Sequence, residues 1–262
     1  MLLKDRIALI TGGGSGIGRG VAIRFAREGA KLALVDMSQA GLDETAAQLR
    51  EHGSEVETYT ADVSVTADVE GFFAKTVERF GRIDIAVNNA GIGNPPLPLV
   101  QMTDEGFDRT IAVNLRGVFL CMRAAGRQMI AQGGGGRIIS VASQAGKTGF
   151  AMLSPYCATK AGVILMSKAM AKEVGAFGIT VNAVCPGTID TPLLRGTLDP
   201  ILNATGQTLE HWALKTPGMP PIPLNRIGYP ADVANVITFL ASDDADYMTG
   251  QAINISGGQE MH

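Results

Sequence analysis

Residues Ile7-Ala8-Leu9-Ile10-Thr11-Gly12-Gly13-Gly14-Ser15-Gly16-Ile17-Gly18 decide the fold. An apolar run of strand length, Ile7–Thr11, passes directly into a glycine cluster and then into a helical pattern that continues to about Glu28. A strand that enters a helix through glycines lets backbone N–H groups come close to a pyrophosphate. The helix N-terminus adds roughly half a positive charge there. Gly12, Gly16 and Gly18 are spaced G-x-x-x-G-x-G rather than G-x-G-x-x-G, so the cluster alone also fits a flexible turn. Its place in the first strand–helix unit points to a dinucleotide site, with Ser15 and Ile17 in the same loop.

Asp36 adds to that reading. It closes the next β-branched run, Lys31–Asp36, where a carboxylate accepts hydrogen bonds from both adenosine ribose hydroxyls. A 2′-phosphate would meet a like charge, and Ser15 and Met37 supply no cation to offset it. NAD rather than NADP is the expected cofactor. The same acid also fits a cap on the helix that begins near Ser38.

The alternation of short strands and helices continues outward from this unit, which predicts a parallel sheet with helices on both faces. A helix is expected over about Ser38–His52, a strand at Glu55–Thr60 and a helix at Thr66–Phe80. Further strands are expected at Ile83–Asn88, Arg137–Ala142, Ile179–Cys185 and Ala252–Ile255. Long helices are expected at about Asp104–Gln132 and Pro155–Phe177. The fold class is therefore α/β, a Rossmann-like doubly wound sheet of about seven strands in one domain spanning 1–262. Between Pro186 and Pro230 the chain turns rich in Pro, Thr and Gly, too long for an ordinary connection. Following a strand end, it is expected to form a substrate lid, with a surface insertion as the alternative.

Composition sets the outer limits. At 46% hydrophobic and 18% charged residues the chain has ample apolar material for a core. A net charge of −3 with scattered Lys and Arg gives a nucleic-acid role no electrostatic support. Three separated cysteines, Cys121, Cys157 and Cys185, suggest no disulfide framework and a reducing compartment. The charged start and the lack of a long apolar run argue against a signal peptide or membrane span, so a cytoplasmic protein is expected. His52, His211 and His262 show no metal-ligand spacing, and no metal is expected. Gln259-Glu260-Met261-His262 is expected to be a frayed tail, with ion or neighbour binding as the alternative.

Tyr156 and Lys160 stand four residues apart, on one face of a helix. A lone Y-x-x-x-K is a weak signal, and each member has an ordinary packing role open to it. Ser143, at the end of a strand, and Asn114, within the long helix before it, raise its weight. Moving a hydride from an alcohol carbon needs a base for the hydroxyl proton. Free tyrosine, with a pKa of about 10, is a poor one at neutrality. A neighbouring ammonium and an oxidised nicotinamide favour phenolate, and Ser143 is placed to hydrogen-bond the reacting oxygen. Ser143 as a loop cap and Asn114 as a backbone brace remain the plain alternatives.

With these motifs in order, the chain resembles a short-chain dehydrogenase/reductase from about Lys4 to Gly258. Gly12-x-x-x-Gly16-x-Gly18 matches the family's cofactor loop. Ala61-Asp62-Val63 matches its segment beside adenine, and Asn88-Asn89-Ala90-Gly91 its stabilising motif after the fourth strand. Asn114, Ser143, Tyr156 and Lys160 match the catalytic tetrad, and Pro186-Gly187 with Thr191 the segment near the carboxamide. The resemblance implies that Tyr156 is the acid/base, that Lys160 holds nicotinamide ribose and lowers the tyrosine pKa, and that Ser143 orients the substrate oxygen. It places Asn114 in a water-mediated relay, Asp62 and Val63 at adenine, Asn89 near the ribose, and Ile189 with Thr191 at the nicotinamide amide. It also implies a homotetramer, for which the apolar seam Val163, Ile164, Met166 and Met170 offers an interface or, equally, core.

Ile92-Gly-Asn-Pro-Pro-Leu-Pro98 and the lid are closer in character to sugar-alcohol and vicinal-diol dehydrogenases than to fatty-acid ketoreductases. An acyl-thioester ketoreductase is the alternative enzyme, and a dinucleotide-binding regulator without turnover the alternative of another class. Arg195, His211 and Lys215 in the lid are candidates for receiving an anionic substrate group, or are solvated surface.

Overall fold

A computed structural model describes residues 1–94, 96–215 and 221–262, without the side chains of Pro200 and Ile201. Its seven strands are β1 (Ile7–Thr11), β2 (Lys31–Asp36), β3 (Val56–Thr60), β4 (Ile85–Asn88), β5 (Gly136–Val141), β6 (Ile179–Pro186) and β7 (Ala252–Ile255). They form one parallel sheet in the order β3-β2-β1-β4-β5-β6-β7. This is the expected doubly wound Rossmann-like fold.

Period-two alternation in the strands divides the core between the two faces. Ala8, Ile10, Leu32, Leu34, Ile85 and Val87 point to one side. There they meet α1 (Gly16–Arg27), α2 (Gln39–Glu51) and α9 (Pro230–Ala241) through Val21, Phe25, Leu42, Leu49, Val233 and Ile237. Leu9, Ala33, Val35, Ala86 and Ile138 point to the other side. They pack on α3 (Thr66–Phe80), α5 (Val118–Gln132) and α6 (Ser154–Val174) through Val69, Phe72, Leu120, Met129 and Val163.

Several expectations need correction. The helix expected over Asp104–Gln132 is continuous but not uniform. α4 (Asp104–Ile111) and α5 are joined by a π-helical turn, Ala112–Gly117, with Asn114 in its middle. Such turns often mark functional positions. The stretch from Pro186 to Pro230 holds two helices, α7 (Pro192–Thr205) and α8 (Leu209–Lys215). They have a small core of their own made of Leu198, Leu202, Leu209, Ala213, Ile222 and Ile227. Positions 216–220 of the expected lid, and Pro95 of the Ile92–Pro98 segment, lie outside the described residues.

Helix α9 went unread because Pro230 looks like a breaker. It is instead a first-turn proline, preceded by Tyr229, whose N–H donates to Asp232 Oδ2 at 2.8 Å. In the apolar seam, Val163 and Ile164 are core, and the partly buried Met166 and Met170 pack against it. The C-terminal tail is not frayed. Glu260 is buried, accepts from Thr148 Oγ1 at 2.5 Å and lies 3.0 Å from His262 Nδ1. Among the described residues no helix is long and apolar enough to cross a membrane, and no three His, Cys, Asp or Glu side chains gather as metal ligands.

Candidate active site

The strand order reverses between β1 and β4, and ligands of open α/β sheets bind beyond the strand ends at such a point. A cleft of about 400 Å³ opens there. Gly12, Ser15, Gly16, Ile17, Asp36 and Asn89 line it, together with Ser143, Tyr156, Lys160, Ile189 and Thr191.

At the cofactor end the loop after β1 is shaped by what its glycines lack. Gly12 has φ +67°, and a Cβ there would sit 2.7 Å from Asn89 Nδ2. A Cβ on Gly18 would lie 2.0 Å from the Gly12 carbonyl oxygen, so the loop can close on the start of α1 only without one. Asn89 braces this turn from β4 by donating Nδ2 to Thr11 O at 3.0 Å and Gly12 O at 3.1 Å. Thr11 Oγ1 in turn accepts from the backbone N–H groups of Asn89 and Ala90 at 3.0 and 3.1 Å. The result is a cradle free of side chains at a helix N-terminus, which fits a dinucleotide pyrophosphate.

Asp36 is not the cap of α2, a place taken by Ser38, whose Oγ accepts from Gly41 N at 3.1 Å. The Asp36 Oδ2 accepts from Gly14 N and its Oδ1 from Ser38 N, each at 3.0 Å, yet each carboxylate oxygen keeps capacity for a further donor. Beside it runs a side groove lined by Gly14, Asp36, Ser38, Gly41, Arg19 and Glu44. The Arg19 guanidinium is committed there. It donates to both Glu44 oxygens at 2.6 and 2.9 Å, to Thr45 Oγ1 at 2.9 Å and to Gly14 O at 2.6 Å. Asp62 and Val63 are not brought to the cleft wall. Asp62 Oδ1 is turned into its own loop by Ser64 N and Oγ, both at 2.8 Å, and Val63 is buried against Gly117.

At the catalytic end, α6 starts at Ser154 with Pro155 in its first turn and carries Tyr156 and Lys160 into the cleft. Lys160 is buried, and its Nζ donates to Val141 O at 2.8 Å. Burial pulls its pKa down to about 8. The Tyr156 pKa is raised, burial being the larger cause, while a hydrogen bond from Ser143 works the other way. In the chain by itself, then, burial outweighs the lowering expected from the neighbouring ammonium. Ser143 Oγ also accepts from Ala145 N at 3.1 Å, so it is both cap and phenol partner. Asn114 is fully buried and clamps the loop after β4, with Oδ1 accepting from Ile92 N and Nδ2 donating to Ile92 O, both at 2.8 Å.

The structure separates the proposed anion receivers from the cleft. Arg195 is bound to Asp190 at 2.7 and 2.8 Å, and His211 and Lys215 are exposed. It adds residues that sequence reasoning passed over: Gln144, Phe150, Leu153, Leu193, Leu194 and Trp212 line the same cleft. Only Gln144 had a signal, its place beside Ser143.

Comparisons with known proteins agree with this geometry. A family model described as Enoyl-(Acyl carrier protein) reductase matches residues 12–260. The levodione reductase of Leifsonia aquatica is 41% identical over 97% of this chain and 94% of its own. A crystal structure of levodione reductase superposes with a TM-score of 0.91 over 98% of both chains. The sorbitol dehydrogenase of Cereibacter sphaeroides is 37% identical over the full length of both. A 3-ketoacyl-(acyl-carrier-protein) reductase from Brucella melitensis, solved with NADH, is 36% identical over 99% of this chain and 100% of its own, with a TM-score of 0.85. Matched end to end in sequence and fold, the chain belongs to the short-chain dehydrogenase/reductase family, oxidoreductases that interconvert alcohols and ketones with a nicotinamide dinucleotide.

Proposed function

We propose that the protein is an NAD-dependent dehydrogenase of a secondary alcohol, with a vicinal diol or sugar alcohol as the substrate class. The observation that carries this reading is one cleft holding Asp36 and the glycine cradle together with Ser143, Tyr156 and Lys160. The dinucleotide, when bound, accepts or supplies the hydride. Gly12, Ser15, Gly16, Ile17 and Gly18 form its pyrophosphate cradle, and Asn89 holds that cradle in shape. Asp36 takes the adenosine ribose hydroxyls. Ile189 and Thr191 receive the nicotinamide amide.

Tyr156 carries the proton. In oxidation its hydroxyl oxygen accepts the proton leaving the substrate alcohol, and in reduction it returns one to the forming alkoxide. Ser143 donates to the same substrate oxygen and fixes its position. Lys160 holds the nicotinamide ribose, and its charge beside the phenol favours the deprotonated form. Asn114 positions the relay by anchoring Ile92 across the cleft floor. The segment 186–230 acts as a lid on a single cytoplasmic domain. Exposed Phe107, Phe119 and Leu165 on α4, α5 and α6 support a homotetramer as the working assembly.

The test is a screen of polyols, vicinal diols, hydroxy acids and acyl thioesters with NAD(H) and NADP(H), following absorbance of the reduced dinucleotide. Turnover of an alcohol with NAD that falls at least about 100-fold in Tyr156→Phe, with NAD binding retained, is the expected result. Turnover confined to 3-oxoacyl thioesters would move the protein to the reductase class of the Brucella relative. Near-normal turnover by Tyr156→Phe would refute the acid/base assignment.

A further inference from the structure

The substrate end of the cleft is predominantly apolar, although Asn94 and Thr197 also line it. Phe150, Leu153, Leu193, Leu194 and Trp212 form its wall. Among the described residues, the only charged side chains lining the cleft are Asp36 and Lys160. Asp36 is the proposed cofactor acid, and Lys160 donates to Val141 O and is assigned to the nicotinamide ribose. Arg195, the nearest lid cation in sequence, is locked to Asp190. An anionic substrate would leave its charge unpaired in this wall, and that burial is strongly unfavourable. A long polyol would leave most of its hydroxyls facing carbon, each at a similar if smaller cost.

A polar side chain beside Ser143 bears on that wall. Gln144 directly follows Ser143, lines the cleft and is 8% exposed. Its Oε1 is buried and has no hydrogen-bond partner among the described residues. It lies 3.1 Å from where a Cβ on Gly187 would be, between the ends of β5 and β6. Buried amides are almost always paired, and an unpaired one at a binding site calls for a reason. The terminal torsion of glutamine is broad. The amide can therefore turn and present either its carbonyl or its NH2 to a neighbouring group.

We propose that Gln144 reads a second oxygen on the carbon next to the reacting one, and that the substrate is an uncharged, largely apolar secondary alcohol bearing that vicinal oxygen. This deepens the dehydrogenase reading and rests on it for the identity of the reacting carbon. Ser143 takes the reacting oxygen and the adjacent residue takes its neighbour, while Phe150, Leu153, Leu193 and Trp212 enclose the rest of an alicyclic or aryl skeleton. A hydroxyl satisfies Gln144 as donor or acceptor and a carbonyl satisfies it as acceptor. A vicinal diol and its hydroxyketone therefore both fit.

The test uses the whole protein saturated with reduced dinucleotide, NADH or NADPH, to which alcohols bind without reacting. Calorimetric titration with cyclohexanol, cis-cyclohexane-1,2-diol and sorbitol compares the three chemistries. The 1,2-diol is expected to bind at least about ten-fold more tightly than cyclohexanol, the worth of one well-placed hydrogen bond, and more tightly than sorbitol. In Gln144→Met, which keeps length and volume but removes the amide, the diol-to-cyclohexanol ratio should collapse towards one. Equal affinities in the unaltered protein, tighter binding of sorbitol, or a ratio that survives in Gln144→Met would each overturn the proposal. Failure of the dehydrogenase reading looks different, because no alcohol would then reduce the oxidised dinucleotide even where the diol binds with the expected preference.

Discussion

The ammonium of Lys160 lies 5.5 Å from the centroid of the Tyr156 ring, over its face, while donating to Val141 O. The pair shares one buried site, and burial acts on them in opposite directions. It raises the tyrosine pKa above 10.0 and lowers that of the lysine to about 8. Both shifts favour the neutral forms. At neutral pH the tyrosine is therefore protonated and ready to act as an acid, whereas its use as a base must be drawn out by higher pH. The rate of alcohol oxidation should climb as pH rises above 7, with ketone reduction nearly flat around neutrality. Parallel pH profiles of kcat/KM in the two directions check this, and an oxidation rate that falls from pH 7 to 9 would contradict it.

The same burial makes Lys160 a cost to the folded chain. Its folded pKa of about 8 is below the ordinary lysine value of 10.5. The unfolded chain thus binds more protons between those pH values, and stability should rise with pH across that window. Below about pH 8 the charge penalty is fully present. Lys160→Met should accordingly stabilise the protein without cofactor by roughly 1–3 kcal/mol at pH 7, an advantage that shrinks as pH approaches 10.5. Denaturant titrations at pH 7 and 10 read both quantities. A variant less stable than the parent at pH 7 would show that the Val141 hydrogen bond outweighs desolvation.

Much of this site was legible because its spacings are set by regular structure. Tyr156 and Lys160 are one helical turn apart, and the glycines follow a strand whose apolar run marks it as central. What escaped was set by tertiary context. The π turn around Asn114 shifts the hydrogen-bond ladder and hardly alters the apolar period. The helices α7 and α8 are held by a satellite core whose Leu198 and Ile222 are distant in sequence. Arg195 looked available for an anion because only folding shows it clamped to Asp190. Gln144 matters through the absence of a partner, which no linear pattern records.

The proposed NAD preference rests on Arg19 as well as on Asp36. Arg19 is the cation of the side groove beside Asp36, but Glu44 holds it with two hydrogen bonds, and the Glu44 carboxyl is itself kept below its usual range by that contact. Asp36→Ala alone should relax discrimination against NADP by about ten-fold, roughly one charge-assisted hydrogen bond. Adding Glu44→Gln should relax it further by releasing Arg19 towards a 2′-phosphate. Binding of 2′,5′-ADP against 5′-AMP measures this without turnover. An unchanged ratio in Asp36→Ala, or equal efficiency of the parent with NADP, would sink the assignment.

Two helical glycines should answer to the same substitution with opposite signs. A Cβ on Gly18 meets the Gly12 carbonyl at 2.0 Å and Asn89 Nδ2 at 2.6 Å, both fixed parts of the cofactor turn. Gly18→Ala should therefore lose roughly 1–3 kcal/mol of stability through overpacking and weaken dinucleotide binding. Gly71, inside α3, has nothing within 4 Å of its missing Cβ. Gly71→Ala should gain up to about 1 kcal/mol of helix propensity, or a rise of about 2–4 °C in Tm. Thermal melts with and without NAD decide both, and a Gly18→Ala protein that melts and binds like the parent would show that the loop yields.

The proposed lid would hinge where its two ends pair. Ile189 and Gly228 pair as a parallel bridge, with Asp190 N donating to Gly228 O and Gly228 N to Thr188 O, each at 2.9 Å. The two ends of the segment are thus pinned to each other just beyond β6. Between them, α7 starts at a Thr191 cap and packs on α8 around a core separate from the two beneath the sheet. Small isolated cores open at low free energy, so closure of the proposed lid is expected to move this unit about the bridge as a body. Leu193, Leu194 and Trp212 are its cleft-facing members and would be covered on closure. Amide exchange across 192–215 should therefore slow when NAD and an unreactive substrate analogue are bound together, while the amides of Asp190 and Gly228 stay as protected as before. Trp212 is the protein's one tryptophan, so its fluorescence should shift in the same titration. Exchange in 192–215 that ignores the ternary complex would leave the segment a rigid wall of the pocket, and loss of protection at Asp190 and Gly228 would place the hinge elsewhere.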